Sequence, residues 1–136
     1  MCGLCGEITF DGSPASIEAV GRMAARMRPR GPDAGGFAGQ GRVALGHRRL
    51  KIIDLSEKAQ QPMIDPELGL SVVFNGCIYN YQELRSELEA KGYRFFSHGD
   101  TEVILKAYHA WGTAFVERLL GMFAIVLVER DSGRVV

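Results

Sequence analysis

The sequence predicts an α+β protein in which sheets and helices are stacked as layers. Two apolar runs, LSVVF at 70–74 and FAIVLV at 123–128, do not alternate with polar residues. Both faces of each strand are therefore expected to be buried. Amphipathic segments lie between these strands, and helices that cover buried sheets are typical of layered folds. A chain of 136 residues has room for one domain with a substantial core.

The first half of the chain predicts one helix among several strands. A strand is expected at 4–10, and Ser13-Pro14 is typical of a helix start with proline at the first helical position. Apolar residues from Ile17 onwards recur at helical spacing. A second strand is expected at 43–46, and residues 49–54 are expected to be extended. The strand at 70–74 is interrupted by Asn75-Gly76.

The second half predicts further helices and a hairpin. Asn80 and Glu83 have the spacing of a capping box, and Gly92 ends that helix. A longer helix is expected at 101–111 and a short one at 113–120. After the strand at 123–128 the sequence turns and begins another strand, in which it stops. We therefore expect the domain, residues 1–136, to be incomplete at its C-terminal end.

The composition excludes several classes of protein. Sixteen basic residues balance sixteen acidic ones, and no charged run stands out, so neither nucleic acid nor a membrane surface is an expected partner. No stretch approaches 18 apolar residues, and no secretory signal precedes the first strand. Three cysteines do not form a disulfide framework, which favours a reduced cytoplasmic setting.

Cys2 stands at an unusual position for a reactive side chain. If Met1 is removed, Cys2 carries both a thiol and a free α-amine. An unperturbed α-amine has a pKa of roughly 7.7–8.0, so a fair fraction of it is neutral near neutral pH and can act as the local base. The thiol is a good nucleophile when such a base is near it. Chain termini also tolerate most residues, so position alone does not decide.

Asn75 and Gly76 follow a buried strand and have two interpretations. Asn-Gly is a strong signal for a tight turn. No return strand follows immediately, since the sequence continues as CIYNYQELR into a helix. The Asn75 amide and the Gly76 backbone N–H could then form an oxyanion hole, which stabilises negative charge on a carbonyl oxygen.

Arg49 and Asp100 could together recognise the two charged groups of a free amino acid. Arginine binds carboxylates bidentately, and an aspartate can receive an ammonium group. For Asp100 the plainer interpretation is a helix N-cap. Cys2 and Cys5 form a C-x-x-C pair, which could be redox-active or half of a zinc site. Zinc needs two further ligands at close spacing, so no metal is expected, and Cys5 is predicted to be a small buried side chain in the first strand.

These motifs resemble the glutaminase domain of class II amidotransferases, which use an N-terminal nucleophile, and most closely those of asparagine synthetase type. The resemblance covers nearly the whole chain in the family's order and implies a four-layer αββα sandwich with two antiparallel sheets. No single stretch is specific, but the set is. The matching stretches are Met1-Cys2-Gly3, RGPD at 30–33, GHRRLKIIDLS at 46–56, Gln61-Pro62, FNGCIYNYQELR at 74–85, GDTEVIL at 99–105 and GMFAIVL at 121–127.

The resemblance implies a role for each matched site residue. Cys2 would attack the side-chain amide of L-glutamine and release ammonia through a thioester. Asn75 and Gly76 would stabilise the oxyanion, Arg49 would bind the glutamine carboxylate, and Asp100 would bind the ammonium. The remaining substrate-binding positions would line the pocket, namely Leu50, Lys51, Ile52, Ile53 and Cys77.

The resemblance also implies partners outside this sequence. Ammonia would pass to a C-terminal synthetase domain, where ATP and magnesium are expected, so no cofactor is expected in residues 1–136. A homodimer is left open. Many relatives have glutamate where this chain has Cys77. The stretches NGCIYNY and HRRLKIIDLSEKAQQPM are similar to those of enzymes that amidate N-acetylglutaminylglutamine.

Two other functions are consistent with the residues alone. The first is a Cys–His hydrolase in which His47 or His98 is the base. The second is a non-catalytic binding or assembly domain that keeps the fold without turnover.

Overall fold

The computed structural model describes all 136 residues and contains six strands and three α-helices. Two short 3₁₀ helices, Glu57–Ala59 and Gly112–Arg118, lie between them. No helix has the length and apolar character needed to cross a membrane. The strands are β1 (Gly3–Ile8), β2 (Ala34–Gln40), β3 (Val43–Arg49), β4 (Met63–Asp65), β5 (Leu70–Ile78) and β6 (Gly121–Glu129), and the helices are α1 (Ile17–Arg26), α2 (Tyr81–Ala90) and α3 (Asp100–Trp111).

The strands form two antiparallel sheets that pack face to face. The first sheet has the order β1-β3-β2 and the second has the order β4-β5-β6. Helix α1 packs on the first sheet, and α3, covered by α2, packs on the second. The layers are therefore α1, first sheet, second sheet and the α2–α3 pair, which confirms the predicted αββα sandwich.

The two cores differ greatly in size. Sixteen buried apolar residues fill the space between the second sheet and its helices. Only four buried apolar residues, Val43, Leu45, Val73 and Val128, form the cluster between the two sheets. Apolar burial is the main favourable term in folding, so the second sheet with α2 and α3 is the most strongly stabilised part of the molecule.

Helix α1 begins later than the sequence predicted. Its N-cap is Ser16, whose Oγ accepts a hydrogen bond from the Ala19 N–H at 3.1 Å. The prediction of a start at Ser13-Pro14 is wrong because the Asp11 carboxylate accepts the Ser13 N–H at 3.0 Å in a local turn. The helix lies close to the sheet at Gly46, where a Cβ would lie 2.8 Å from Val20 Cγ1.

Two strands extend beyond their predicted limits. The strand expected at 43–46 runs on to Arg49, and the strand expected at 70–74 runs on to Ile78. The second extension overturns the tight-turn interpretation of Asn75-Gly76, because these residues pair with Ala124 and Phe123 of β6. Residues 50–54 are irregular rather than extended, and the glycine-rich stretch before β3 forms β2.

The C-terminal elements are close to the prediction. Helix α3 and strand β6 are present, whereas the short helix predicted at 113–120 is the 3₁₀ helix Gly112–Arg118. The last residues turn back along β6, and Leu127 and Val136 exchange two backbone hydrogen bonds of 2.8 and 2.9 Å.

A buried charge cluster fixes α3 against its surroundings. Lys106 forms an ion pair with Asp65 of β4 and lies 3.5 Å from a carboxylate oxygen of Glu102. Glu102, which is fully buried, accepts the backbone N–H groups of Phe96 and Ser97 at 3.0 and 2.7 Å. The cluster thus holds the segment before α3, which forms one side of the site described next.

Candidate active site

One cavity of about 410 Å³ collects residues from every matched stretch of the sequence except RGPD at 30–33. It lies where β1 starts, β3 ends and α3 begins, and strands β5 and β6 form one of its walls. Of the predicted site residues it contains Cys2, Arg49, Leu50, Ile52, Ile53, Asn75, Gly76, Cys77 and Asp100, and the further lining residues are Met1, Asp54, Ala59, Gln61, Phe74, Gly99, Thr101, Met122, Phe123 and Ala124.

Strand pairing brings the first residues of the chain to Arg49. Gly3 lies opposite Arg48 in the β1–β3 ladder, so Cys2 is next to the end of β3. The Leu50 backbone N–H donates to Cys2 Sγ at 3.3 Å, and Sγ lies 3.6 Å from the Leu50 carbonyl oxygen. Arg30 donates to the Cys2 carbonyl oxygen at 3.2 Å. These contacts orient the half-buried thiol at the cavity wall.

The Arg49 guanidinium is held by two backbone carbonyl groups. One terminal nitrogen donates to the Ser56 carbonyl oxygen at 2.9 Å, and the other donates to the carbonyl oxygen of Asp54. The side chain is buried yet lines the cavity. A guanidinium carries five N–H donors, so donors remain for a ligand carboxylate after these two are used.

Asp54 lies behind Arg49 and is ionised. Its Oδ1 accepts the Ser56 N–H and its Oδ2 accepts the His98 N–H, both at 2.9 Å. Burial acts to raise the pKa of Asp54, but the hydrogen bonds from Ser56 and His98 and the nearby Arg49 charge outweigh burial and lower the pKa to about 2. The sequence analysis assigned Asp54 no role.

Asn75 and Gly76 lie within β5, at the cavity wall. A Cβ on Gly76 would collide with the Met122 carbonyl oxygen, so only glycine lets β5 and β6 approach at this point. The Asn75 side chain makes no hydrogen bond within the protein. Its amide is therefore free to bind a group in the cavity, next to the main chain of Gly76.

Asp100 and Cys77 line the same side of the cavity. Asp100 is the first residue of α3 and Gly99 is the N-cap, so the N-cap interpretation of Asp100 is wrong. Its carboxylate accepts the Ile78 N–H at 3.0 Å, and burial raises its pKa. Burial, and then the charge of Asp100, raise the pKa of the Cys77 thiol. The Asp100 carboxylate would stabilise a cationic group bound on this side of the cavity.

Lys51 is the one predicted site residue that does not line the cavity. Its backbone N–H donates to the Asp33 carboxylate at 2.8 Å, and its ammonium pairs with Glu57 on the surface. Leu50, Ile52 and Ile53, its neighbours in the irregular segment, do line the cavity.

Two histidines proposed as alternative bases lie away from the cavity lining. His47 is fully buried, donates from Nε2 to the Phe74 carbonyl oxygen at 2.9 Å and does not line the cavity. His98 is exposed and takes no part in the lining either. The geometry thus offers Cys2 no histidine within the cavity.

The two cysteines of the C-x-x-C pair lie in different surroundings. Cys2 contacts Leu50 at the cavity, whereas Cys5 Sγ lies 3.8 Å from the Val20 carbonyl oxygen of α1. All three cysteines are free thiols. No group of three or more His, Cys, Asp or Glu side chains is arranged to hold a metal ion.

The first half of β6 is open to the cavity, contrary to the prediction that both faces of FAIVLV are buried. Leu127 and Val128 are buried, but Met122 is 67% exposed and Phe123 is 39% exposed. Met122 and Phe123 line the cavity, as does Ala124. A continuous apolar run does not distinguish a buried strand from one that borders a pocket, so the sequence analysis missed these lining residues.

Gln61 is a second lining residue whose role the sequence did not reveal. Its Oε1 accepts the Phe74 N–H at 2.6 Å, and its Nε2 donates to Thr101 Oγ1 at 3.4 Å. It joins the segment before β4 to β5 and α3, immediately behind Asn75. The Gln61-Pro62 motif marked the position without indicating this contact.

Comparison with known proteins assigns the family of the chain. A family model described as a glutamine amidotransferase domain matches residues 1–136, the whole chain. The chain belongs to this family. The match agrees with the resemblance inferred from the motifs and confirms that this chain is a glutamine amidotransferase domain of class II.

Several relatives of this amidotransferase domain are asparagine synthetases. The chain is 40% identical to asparagine synthetase [glutamine-hydrolyzing] 1 of Bacillus subtilis, over 97% of the chain and 21% of that protein. It is 37% identical to asparagine synthetase [glutamine-hydrolyzing] 1 of Arabidopsis thaliana, over 98% of the chain and 23% of that protein. The chain thus spans about a fifth of the length of these relatives.

A solved structure supports the fold of the amidotransferase domain. Glutamine phosphoribosylpyrophosphate amidotransferase from B. subtilis superposes with a TM-score of 0.67 at 20% identity. The superposition covers 91% of this chain and 35% of that one. At this identity the likeness concerns architecture, and it agrees with the αββα sandwich described above.

Proposed function

We propose that this domain hydrolyses the side-chain amide of L-glutamine, with Cys2 as the nucleophile once Met1 has been removed. The observation that carries the proposal is that one cavity contains Cys2, Asn75, Gly76, Arg49 and Asp100. A nucleophile, two candidate oxyanion donors and two opposite charges are the groups needed to bind and cleave this substrate.

The charged groups of glutamine determine how it is bound. Arg49 binds the α-carboxylate with the N–H donors that the Asp54 and Ser56 carbonyl groups leave free. Asp100 accepts the α-ammonium. Cys77 supplies no charge where many relatives have glutamate, so binding of the ammonium depends more heavily on Asp100. The apolar side chains of Leu50, Ile52 and Ile53 contact the methylene groups.

Hydrolysis proceeds in two steps at the amide carbon. Cys2 Sγ attacks this carbon, and the Asn75 amide and Gly76 N–H stabilise the oxyanion. The C–N bond breaks, the Cys2 α-amine transfers the thiol proton to the leaving group, and ammonia departs. Water then attacks the thioester, which releases glutamate and restores the thiol.

The ammonia is consumed by an amide-forming domain beyond residues 1–136. The relatives from Bacillus subtilis and Arabidopsis thaliana are named as glutamine-hydrolysing asparagine synthetases, and the chain spans about a fifth of their length. We propose that ATP and magnesium act in that further domain and that none is used here. The assignment to enzymes that amidate N-acetylglutaminylglutamine stays a prediction, as does a cytoplasmic location.

A test of the nucleophile compares three forms of the N-terminus. The chain with Cys2 first should convert glutamine to glutamate and ammonia. A chain with one extra glycine before Cys2 should be nearly inactive, since its amine is displaced. The third form keeps an uncleaved longer extension, and the single glycine separates the loss of the free amine from the bulk of that extension. Intact mass confirms each terminus.

The same comparison separates the alternatives. A Cys–His hydrolase keeps its activity with the extra glycine, because its base lies elsewhere. A non-catalytic domain produces no glutamate in any form. Equal turnover with Cys2 free and with glycine ahead of it would refute the role of the amine.

A further inference from the structure

We propose that Asp54 is a positioning residue that joins the carboxylate-binding side of the cavity to the ammonium-binding side. The inference rests on the proposed function, in which Arg49 and Asp100 hold the two charged groups of glutamine. Asp54 contacts the segment that presents each of them, so its loss should disturb substrate recognition without removing a reacting group.

The first side is the turn that holds Arg49. The Asp54 carboxylate accepts the Ser56 N–H at 2.9 Å, which closes the turn over residues 54–56. The carbonyl oxygens of Asp54 and Ser56 then both accept hydrogen bonds from the Arg49 guanidinium. The plane of the guanidinium is therefore set by the geometry of this turn.

The second side is the segment that leads into α3. The other carboxylate oxygen of Asp54 accepts the His98 N–H at 2.9 Å. At the next residue, Gly99, a Cβ would lie 3.2 Å from Asp54 Cβ, so the two segments are in close contact. Asp100 follows directly as the first residue of the helix.

Both oxygens of Asp54 are thus committed to different segments, and the residue is only 8% exposed. A side chain with one acceptor oxygen cannot serve both N–H groups. In Asp54→Asn the amide NH₂ would face either the Ser56 or the His98 N–H, and that donor would be left unpaired. The variant keeps the size of the residue, so it tests the bridge rather than the packing.

The experiment compares the rates at which two probes alkylate Cys2, one with and one without the carboxylate and ammonium of glutamine, which form its head group. It requires no turnover. The first probe is a diazoketone analogue of glutamine, which carries the same carboxylate and ammonium. Cys2 sulfur bonds to its terminal carbon, that carbon takes up a proton, and N₂ leaves. The second probe is iodoacetamide, which lacks the head group and loses iodide. Mass spectrometry gives both rates.

We expect the wild-type chain, with Cys2 first, to react preferentially with the glutamine analogue. Asp54→Asn should reduce this preference by about tenfold, the loss expected when a buried donor is left unpaired. Its rate with iodoacetamide should stay within about twofold of the wild type, because the thiol itself is untouched.

Asp11→Asn is the matched control. Asp11 also accepts the N–H and the hydroxyl of a serine two residues later, at 3.0 and 2.6 Å, but it lies far from Arg49 in an exposed turn. The preference of Asp11→Asn for the glutamine analogue should equal that of the wild type. If Asp54 acts through Arg49, Asp54→Asn should have little further effect in an Arg49→Lys background.

Three outcomes decide between the hypotheses. A wild-type preference that survives in Asp54→Asn overturns the role of Asp54 and leaves the proposed function standing. Equal loss in Asp11→Asn also overturns it, since the effect would then be general. A wild-type chain with no preference for the analogue overturns the proposed function and this inference with it.

Discussion

Two asparagines five residues apart show how a single side chain is assigned to structure or to a site. Asn80 uses both ends of its amide within the protein: it donates to the Arg118 carbonyl oxygen and accepts the Leu120 N–H, each at 2.9 Å. Asn75 makes no such bond and faces the cavity. A polar side chain that is placed precisely by its strand, yet left unpaired, is available to a substrate.

Replacing Asn75 by alanine should therefore affect turnover, whereas replacing Asn80 should affect stability. Asn75→Ala should lower turnover of glutamine by about 10²–10³, the usual loss for one oxyanion donor, with little change in stability. Asn80→Ala should lower the melting temperature and leave turnover per folded molecule unchanged. Steady-state kinetics with the folded fraction measured by circular dichroism separates the two. Full turnover in Asn75→Ala would remove Asn75 from the proposed oxyanion hole.

Among the secondary-structure elements, α3 serves both the core and the cavity. Nine of its twelve residues are buried, and three of those nine are charged. Asp100 accepts an N–H from β5, Glu102 accepts N–H groups from the preceding segment, and Lys106 pairs with β4. The helix is therefore fixed in position by charges as well as by apolar contacts. Asp100, its first residue, is thereby held at the cavity.

Removing the cation from this cluster should be costly. Lys106→Met leaves the Asp65 and Glu102 carboxylates buried without their partner, which we expect to reduce the free energy of unfolding by about 3–5 kcal/mol. The control is Arg22→Met, which breaks an exposed pair with Glu18 worth about 0.3–0.5 kcal/mol. Urea unfolding at neutral pH measures both. Similar losses in the two variants would show that the buried cluster contributes no more than a surface pair.

At the scale of the whole molecule, the two sheets are joined by a small apolar cluster and one histidine. His47 of β3 donates to the Phe74 carbonyl oxygen of β5, across the interface between the sheets. Burial, together with the charges of Arg49 and Arg48, lowers the pKa of His47 to about 4, although its bond to Phe74 acts in the opposite direction. The folded state therefore keeps this histidine neutral, and acid favours the unfolded state.

The pH dependence of stability follows from this shift. An unfolded histidine has a pKa near 6.5, so between that pH and about pH 4 the unfolded chain binds a proton that the folded chain does not. The free energy of unfolding is unaffected by protonation of His47 above pH 6.5. As the pH falls from 6.5 to about 4, the protonation of His47 in the unfolded chain lowers this free energy by about 3 kcal/mol in total.

The control for this prediction is His47→Gln, which can still donate to Phe74. Urea unfolding at about pH 7.5 and about pH 4.5 should show a smaller acid loss in the variant than in the wild type. Equal losses would mean that other groups, such as the carboxylates, account for the acid sensitivity.

The sequence by itself determined the layers and most of the site. Periodicity and apolar runs located β5, β6 and α3, because those patterns depend on which faces are buried. The motifs identified the family and named eight cavity residues besides Cys2, because side-chain chemistry can be read without coordinates. The start of α1 was misplaced, since Asp11 and Ser13 form a local turn that competes with the helix.

Only the tertiary structure decided how these residues meet. Asn75-Gly76 has the local preference of a turn, yet it continues β5 because β6, nearly fifty residues later, supplies the pairing. Asp100 is of a residue type favoured at N-caps, but it is the first residue of α3, and its carboxylate accepts the Ile78 N–H. Asp54 carried no signal at all, because its partners are two backbone N–H groups, one of them 44 residues away. Backbone donors leave no trace in the identity of a side chain, so contacts of this kind become visible only when the chain is folded.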